Sequence, residues 1–146
     1  MRTRIRYRYV GHTADVKFIA YGNTFEELFT NSALALFGIV SDTNRVVKSG
    51  ARTKQMVVRV RADSMKVLLW RFLQACLSKS DVHRVYPYAV ISLSISNGKA
   101  QRLDCRLACK DMNEEDSRLE AKGVSKYDLD IGKRAGRFAA SVVVDV

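Results

Sequence analysis

The sequence predicts an α+β fold, with two helices packed on one face of a mostly antiparallel sheet. Three observations lead there. Two stretches carry apolar residues at helical spacing, around Phe25–Val40 and Val67–Leu77. Several others alternate at period two, and they follow one another without the βαβ rhythm of a doubly wound fold. An Asn97-Gly98 pair sits between two of the alternating stretches, where a hairpin turn belongs.

Length and composition narrow the class. A chain of 146 residues is expected to form one domain, residues 1–146, with a core that needs neither metal nor disulfide to hold it. Ordinary apolar content and a single Pro argue against disorder. No apolar run approaches a membrane span, and the Arg-rich opening lacks the apolar centre of a signal peptide, so a cytoplasmic protein without membrane contact is expected. Cys76, Cys105 and Cys109 are an odd set without regular spacing or zinc partners, so they are read as reduced thiols packed as small apolar groups. The net charge is +10, concentrated early: residues 1–62 hold eleven Lys or Arg against four Asp or Glu. Such a surface attracts polyanions by neutralising phosphates, and it equally keeps a protein soluble.

Taken in order, Arg2, Arg4, Arg6 and Arg8 alternate with Thr3, Ile5, Tyr7 and Tyr9. This is a strand with its arginines on one face and its aromatics on the other, which speaks against a shared stacking platform for bases. After a turn at Gly11–Asp15, Val16–Tyr21 reads as a second strand ended by Gly22-Asn23. Thr24-Phe25-Glu26-Glu27 is a capping box that opens a core-facing helix ending near Gly38–Ser41. Residues 42–54 read as a polar connection, and Gln55–Ala62 as a strand. Asp63 or Ser64 caps a second helix to about Lys79, more apolar all round and so expected to lie deeper. Tyr88–Ser96 and Gln101–Ala108 flank the Asn-Gly turn, and Asp111–Asp116 is an acidic loop. Val124–Ile131 and Arg137–Val144 form a last strand pair around Gly132–Gly136.

The sequence has no Gly-rich phosphate loop, zinc set or nucleophile elbow. His83 is expected on the surface. Asp111, Glu114, Glu115 and Asp116 can hold a cation or simply stay solvated. Two separate stretches attract more attention. Gly11-His12-Thr13-Ala14-Asp15-Val16 is a turn that holds a His beside a carboxylate, and Asp145 is the lone acid after three valines in Val142-Val143-Val144-Asp145-Val146. Asp15 starts a strand and Asp145 ends one. If those strands pair, two carboxylates converge, and a cation relieves their repulsion. Oxygen ligands alone select a hard ion, calcium or magnesium, whose shell needs more than two side chains.

Those same residues resemble the archease family, the small protein cofactors of the tRNA-splicing RNA ligase. The matching motifs are His12-Thr13-Ala14-Asp15-Val16, Ala20-Tyr21-Gly22 with Thr24-Phe25-Glu26-Glu27, Ala33-Leu34-Ala35-Leu36-Phe37, Asp42-Thr43 and the closing Val142–Val146. The resemblance implies an archease-like domain that is not itself an enzyme. It would promote GTP-dependent guanylylation of the ligase and allow multiple turnover in tRNA processing. The family's metal site falls on Asp15, Asp145 and Val146, the last through a main-chain or terminal oxygen, with calcium as the expected ion and magnesium as the second choice. A Lys that the family needs falls on Lys122, while His12 and Thr13 would shape and orient the turn. The implied partner is the ligase, with a tRNA contact through the basic surface. Two departures stand out. Gly123-Val124-Ser125-Lys126-Tyr127 follows Lys122 and lacks the family's His, and Lys110-Asp111 stands where a Gly-Glu pair is usual.

Two other functions compete with that expectation. One is a basic RNA-binding module without a ligase-activating role. The other is a metal-dependent hydrolase at Asp15 and Asp145, which lacks an evident general base or nucleophile.

Overall fold

The computed structural model describes residues 5–11 and 15–146. The elements run β1 (Tyr7–Val10), β2 (Asp15–Gly22), α1 (Phe25–Val40), α2 (Thr43–Lys48), β3 (Lys54–Ala62) and α3 (Met65–His83). They continue with β4 (Val85–Asn97), β5 (Gln101–Asp111), a 3-10 turn (Glu114–Asp116), β6 (Gly123–Val124), β7 (Asp130–Arg134) and β8 (Arg137–Asp145). Every strand pairing is antiparallel, and the fold is α+β as expected. The strands divide into two sheets. One has the order β1-β2-β8-β6 with β7 also on β8, and the other has the order β3-β5-β4. Helix α1 packs on β2 and β8 of the first sheet and on β4 of the second, so it ties the two together.

Period two decides what each sheet buries. Phe18 and Ala20 of β2 and Val142 and Val144 of β8 join the core. Met56 and Val58 of β3 and Leu103, Cys105 and Leu107 of β5 join the same cluster from the other sheet. Between them lie Leu28, Phe29 and Leu36 of α1 and Leu68, Leu69, Phe72 and Leu73 of α3, with the Phe29 and Phe72 rings stacked 6.2 Å apart. The aromatic side of β1 behaves as its alternation predicts. Tyr7 and Tyr9 lie opposite the core residues Ala20 and Phe18, and the Tyr9 hydroxyl donates to Ala35 O on α1 at 2.8 Å. The part of the Arg-rich stretch before residue 5 lies outside the described residues.

The helices begin at the expected caps. Thr24 Oγ1 accepts from Glu27 N at 3.1 Å, the forward bond of the capping box, while Glu27 Oε1 accepts from Asn23 N at 3.2 Å, one residue before the cap. Ser64 caps α3 by accepting from Val67 N. Helix α3 runs to His83, beyond the expected end, and stops where Arg84 adopts φ 53°. The burial order is the reverse of the expectation. Helix α1 buries nine of its 16 residues, whereas α3 buries seven of 19. The reason is position: α1 is covered along most of its length by β2, β8 and β4, while α3 turns Lys66, Arg71 and Lys79 to solvent and leaves its last turn, residues 81–83, exposed.

Two further expectations need correction. The polar connection after Ser41 contains α2, whose N-cap Asp42 accepts from Arg45 N and whose anchor Val46 is buried. Six residues are too few for a periodic signal. The expected strand Val124–Ile131 is split into β6 and β7. Between them Ser125 Oγ donates to Asp128 Oδ2 at 2.8 Å, a local turn bond, and Leu129 plugs into the core. The β7–β8 hairpin turns through Ala135 (φ 50°) and Gly136 (φ 77°), the two positive φ angles of a type I′ turn.

Gly22 is required by packing. A Cβ there would lie 2.3 Å from Leu28 N and 2.8 Å from its Cα, inside the first turn of α1. Gly22→Ala is therefore expected to cost at least about 1–3 kcal/mol, read as a lowered denaturation midpoint, because backbone cannot yield as a flexible side chain does. The three thiols are free and buried. Burial pushes Cys105 up to about 12 and Cys109 up to about 11, and it raises Cys76 well above its ordinary value. In the unfolded chain these groups ionise near about 8.5. Their contribution to stability is thus complete below that pH and fades as pH climbs through the raised values. A thiol reagent at pH 8 is expected to leave the native chain unmodified and to label all three cysteines once it is denatured.

Candidate functional site

β8 is the strand on which the site is assembled. It is paired with β2 along one edge, and with β7 and then β6 along the other. Its register with β2 places Asp15 directly opposite Asp145, Val16 opposite Val144 and Phe18 opposite Val142. The even positions of both strands face the core, so the two aspartates share the outer face. Directly opposed side chains have Cβ atoms about 4.5–5.5 Å apart, close enough for both carboxylates to reach one ion. Asp15 is half-buried and Asp145 exposed.

On its other edge Asp145 lies opposite Gly123, and its carbonyl accepts from Lys122 N at 2.7 Å. Positions 123, 145 and 15 thus form one row across the sheet, and the first carries no side chain. Lys122 is exposed at its end. The two-residue β6 is held in place by α3: Trp70 Nε1 donates to Val124 O at 2.8 Å, and Gln74 Oε1 accepts from Val124 N at 2.9 Å. These bonds satisfy the free edge of β6 and fix Lys122 beside Asp145. Val146, half-buried, follows directly.

Of the residues singled out in the sequence, the structure brings together Asp15, Asp145, Val146 and the main chain of Lys122. His12 and Thr13 lie outside the described residues. Among the described residues neither carboxylate forms an ion pair, and no group of three His, Cys, Asp or Glu side chains is placed to hold a metal. The row therefore offers two carboxylates and nearby main-chain oxygens. That donor set fits a hard ion only if solvent or a partner completes its shell. Sequence reasoning missed Lys17, two residues after Asp15 on the same face, which period two alone would have found. Nothing in the sequence announces Trp70 and Gln74.

Three acids of the other candidate are paired within the protein. Asp116 is buried and accepts from Arg45 Nε at 3.3 Å, Glu115 lies 3.7 Å from the same guanidinium, and Asp111 accepts from Lys54 Nζ at 2.7 Å. Neighbouring Lys110 is buried too, and its ammonium donates to Val47 O and Ser49 O at the end of α2. This cation sits on the last carbonyls of a short helix, where the helix dipole favours it.

The profile of the archease protein family matches residues 7–146. The chain belongs to the archease family. A protein archease of Methanosarcina barkeri is 33% identical over 97% of this chain and 96% of its own, and one of Archaeoglobus fulgidus is 25% identical over 97% and 100%. Among solved structures, a Methanobacterium thermoautotrophicum protein superimposes with a TM-score of 0.80 at 26% identity, over 97% of this chain and 99% of that one. A Thermotoga maritima archease, described as a possible chaperone, has the same fold with a TM-score of 0.61 at 16% identity, over 100% and 98%. Family membership and fold thus agree with the motifs from which the resemblance was read.

The geometry of the aspartate row yields a test that needs no partner. Like charges directly opposite on neighbouring strands oppose pairing by about 0.2–1 kcal/mol. Asp145→Asn is expected to leave the chain slightly more stable than the parent in a chelator at low salt. Denaturation midpoints across a salt series check this, since the gain must shrink as screening rises.

Proposed function

We propose that this archease-family chain is a non-enzymatic accessory factor of the tRNA-splicing RNA ligase. In this reading it acts in the cytoplasm, promoting guanylylation of the ligase by GTP and letting it turn over repeatedly. The observation that carries the reading is the register of β2 on β8, which sets Asp15 against Asp145 with Lys122 at the next strand. A surface built this way presents two carboxylates and an ammonium at the rim of a sheet. Such a tip can enter a partner's nucleotide site and order charged groups there.

In the same reading Asp15, Asp145 and a main-chain or terminal oxygen of Val146 hold a divalent cation, calcium before magnesium. The bound ion would offset the repulsion of the two carboxylates and provide a positive centre facing phosphate. Asp15 and Asp145 fix where that charge stands, and the main-chain bond from Lys122 keeps the ammonium-bearing residue beside them. The ligase is the protein partner, and the tRNA it joins is the polyanion that a net charge of +10 would meet.

The experiment is a guanylylation assay with GTP and a ligase from the same source. The chain is expected to accelerate label transfer to the ligase. Asp15→Ala and Asp145→Ala are each expected to abolish the acceleration, and Lys122→Ala to reduce it at least tenfold. Calcium at millimolar concentration should raise the melting temperature of the parent and leave that of the double Asp→Asn variant unmoved. Absence of stimulation by the parent chain would overturn the reading.

A further inference from the structure

The solvent face of the second sheet carries a pattern that the acidic row does not explain. Register across β3, β5 and β4 sets three rows on that face: Val57, Arg106 and Ser92; Arg59, Asp104 and Ser94; Arg61, Arg102 and Ser96. All seven Arg and Ser positions are exposed. Their orientation is locked, because the intervening Met56, Val58, Leu103, Cys105, Leu107, Leu93 and Ile95 are packed in or against the core. Asp104 is the one acid among four arginines, and it accepts from Arg59 Nε at 2.6 Å. Among the described residues Arg61, Arg102 and Arg106 have no acidic partner. Arg61 and Arg102 stand directly opposite one another, an arrangement that costs stability when nothing neutralises it.

We propose that this face is a docking surface for the sugar-phosphate backbone of RNA. Several observations select that occupant. Guanidinium forks match phosphate oxygens in pairs, and the column of Ser92, Ser94 and Ser96 adds short hydroxyl donors along one side without rising above the sheet. Successive rows are two residues apart along each strand, about 6–7 Å, so the cations form a track rather than one focus. A membrane surface would call for apolar and aromatic groups to enter the interface, and among the described residues Ile91 at the β4 bulge is the one large exposed apolar group on these three strands. No aromatic ring lies in the three rows, so bases have nothing to stack on and recognition is by backbone alone. The free edge of β3 is closed to an added peptide strand, because Lys79 Nζ and Arg71 Nη1 on α3 donate to Val57 O and Arg61 O at 2.7 Å. The face lies on a different sheet from Asp15 and Asp145 and does not depend on the ligase reading.

The test is fluorescence anisotropy of the full chain with a labelled single-stranded RNA of 20 nucleotides, from 50 to 200 mM salt. The affinity is expected to fall with a log–log salt slope of about −2 to −3, for three to four phosphates neutralised. Arg61→Gln with Arg102→Gln should weaken binding at least tenfold at 50 mM salt and reduce the slope by about 1.4. The same double variant should melt no lower than the parent, since it removes a like-charge pair, and this shows that the loss is not unfolding. Uridine and adenosine homopolymers should bind within about threefold of each other. Arg134→Gln on the other sheet and Asp15→Asn with Asp145→Asn should bind RNA as the parent does, which separates this surface from ligase activation. The proposal is overturned by absence of binding at 50 mM salt, or by RNA binding that the double Arg variant leaves unchanged. It is equally overturned if vesicles with 30% phosphatidylserine or an acidic peptide bind more tightly than RNA and lose that binding in the variant.

Discussion

The pairing of β8 with β2 is the constraint on which most of the molecule rests. Eight consecutive residues of each strand are opposed, from Asp15 with Asp145 to Gly22 with Phe138. Side chains alternate, so a slip of one residue would turn Phe18 and Val142 to solvent and drive Ser141 and Lys17 into the core. Burial of Phe18, Ala20, Val142 and Val144 therefore fixes the register, and the register in turn sets the two aspartates opposite one another. The acidic row is a consequence of apolar packing on the opposite face of the same two strands. It has no need of a local motif beyond the two acids.

The same ladder explains why small residues matter more here than catalytic types do. Helix α1 must lie directly on the end of β2, and Gly22 allows its backbone to approach at Leu28. On the opposite side Gly38 leaves room for the Tyr9 hydroxyl, which would stand 2.6 Å from a Cβ, and that hydroxyl ties β1 to Ala35 O. With α1 fixed from both ends against the first sheet, its other side is free to pack on β4, and the second sheet is positioned through it. The rigid presentation of both solvent faces follows from this one helix.

Much of this was legible in the residues. The capping box at Thr24–Glu27, the helix to Val40 and the convergence of Asp15 with Asp145 all rest on signals repeated over many positions or on strict period two, which tertiary packing reinforces. What was not legible rests on single contacts. Helix α2 owes its six residues to one cap at Asp42 and one anchor at Val46. The break between β6 and β7 depends on a Ser125–Asp128 bond that offers the backbone a turn in place of a ladder. The depth of α1 relative to α3 could not be read from apolar content, because it depends on how much of each helix the rest of the fold covers. At the site, the carboxylates were visible and the anchoring of Lys122 was not, since Trp70 and Gln74 act through a main-chain pair some 50 residues away in sequence.

The fold also sets the acidic row and the arginine rows on different sheets. Both sheets turn their apolar faces to one shared core, so their outer faces look away from it on different sheets. One ends in the Asp15–Asp145 row, and the other carries Arg59, Arg61, Arg102 and Arg106. A phosphate chain drawn to the arginines is repelled by the aspartates. The two surfaces therefore cannot be one continuous track for RNA, and any partner that meets the acidic row must bring its own positive charge or a cation.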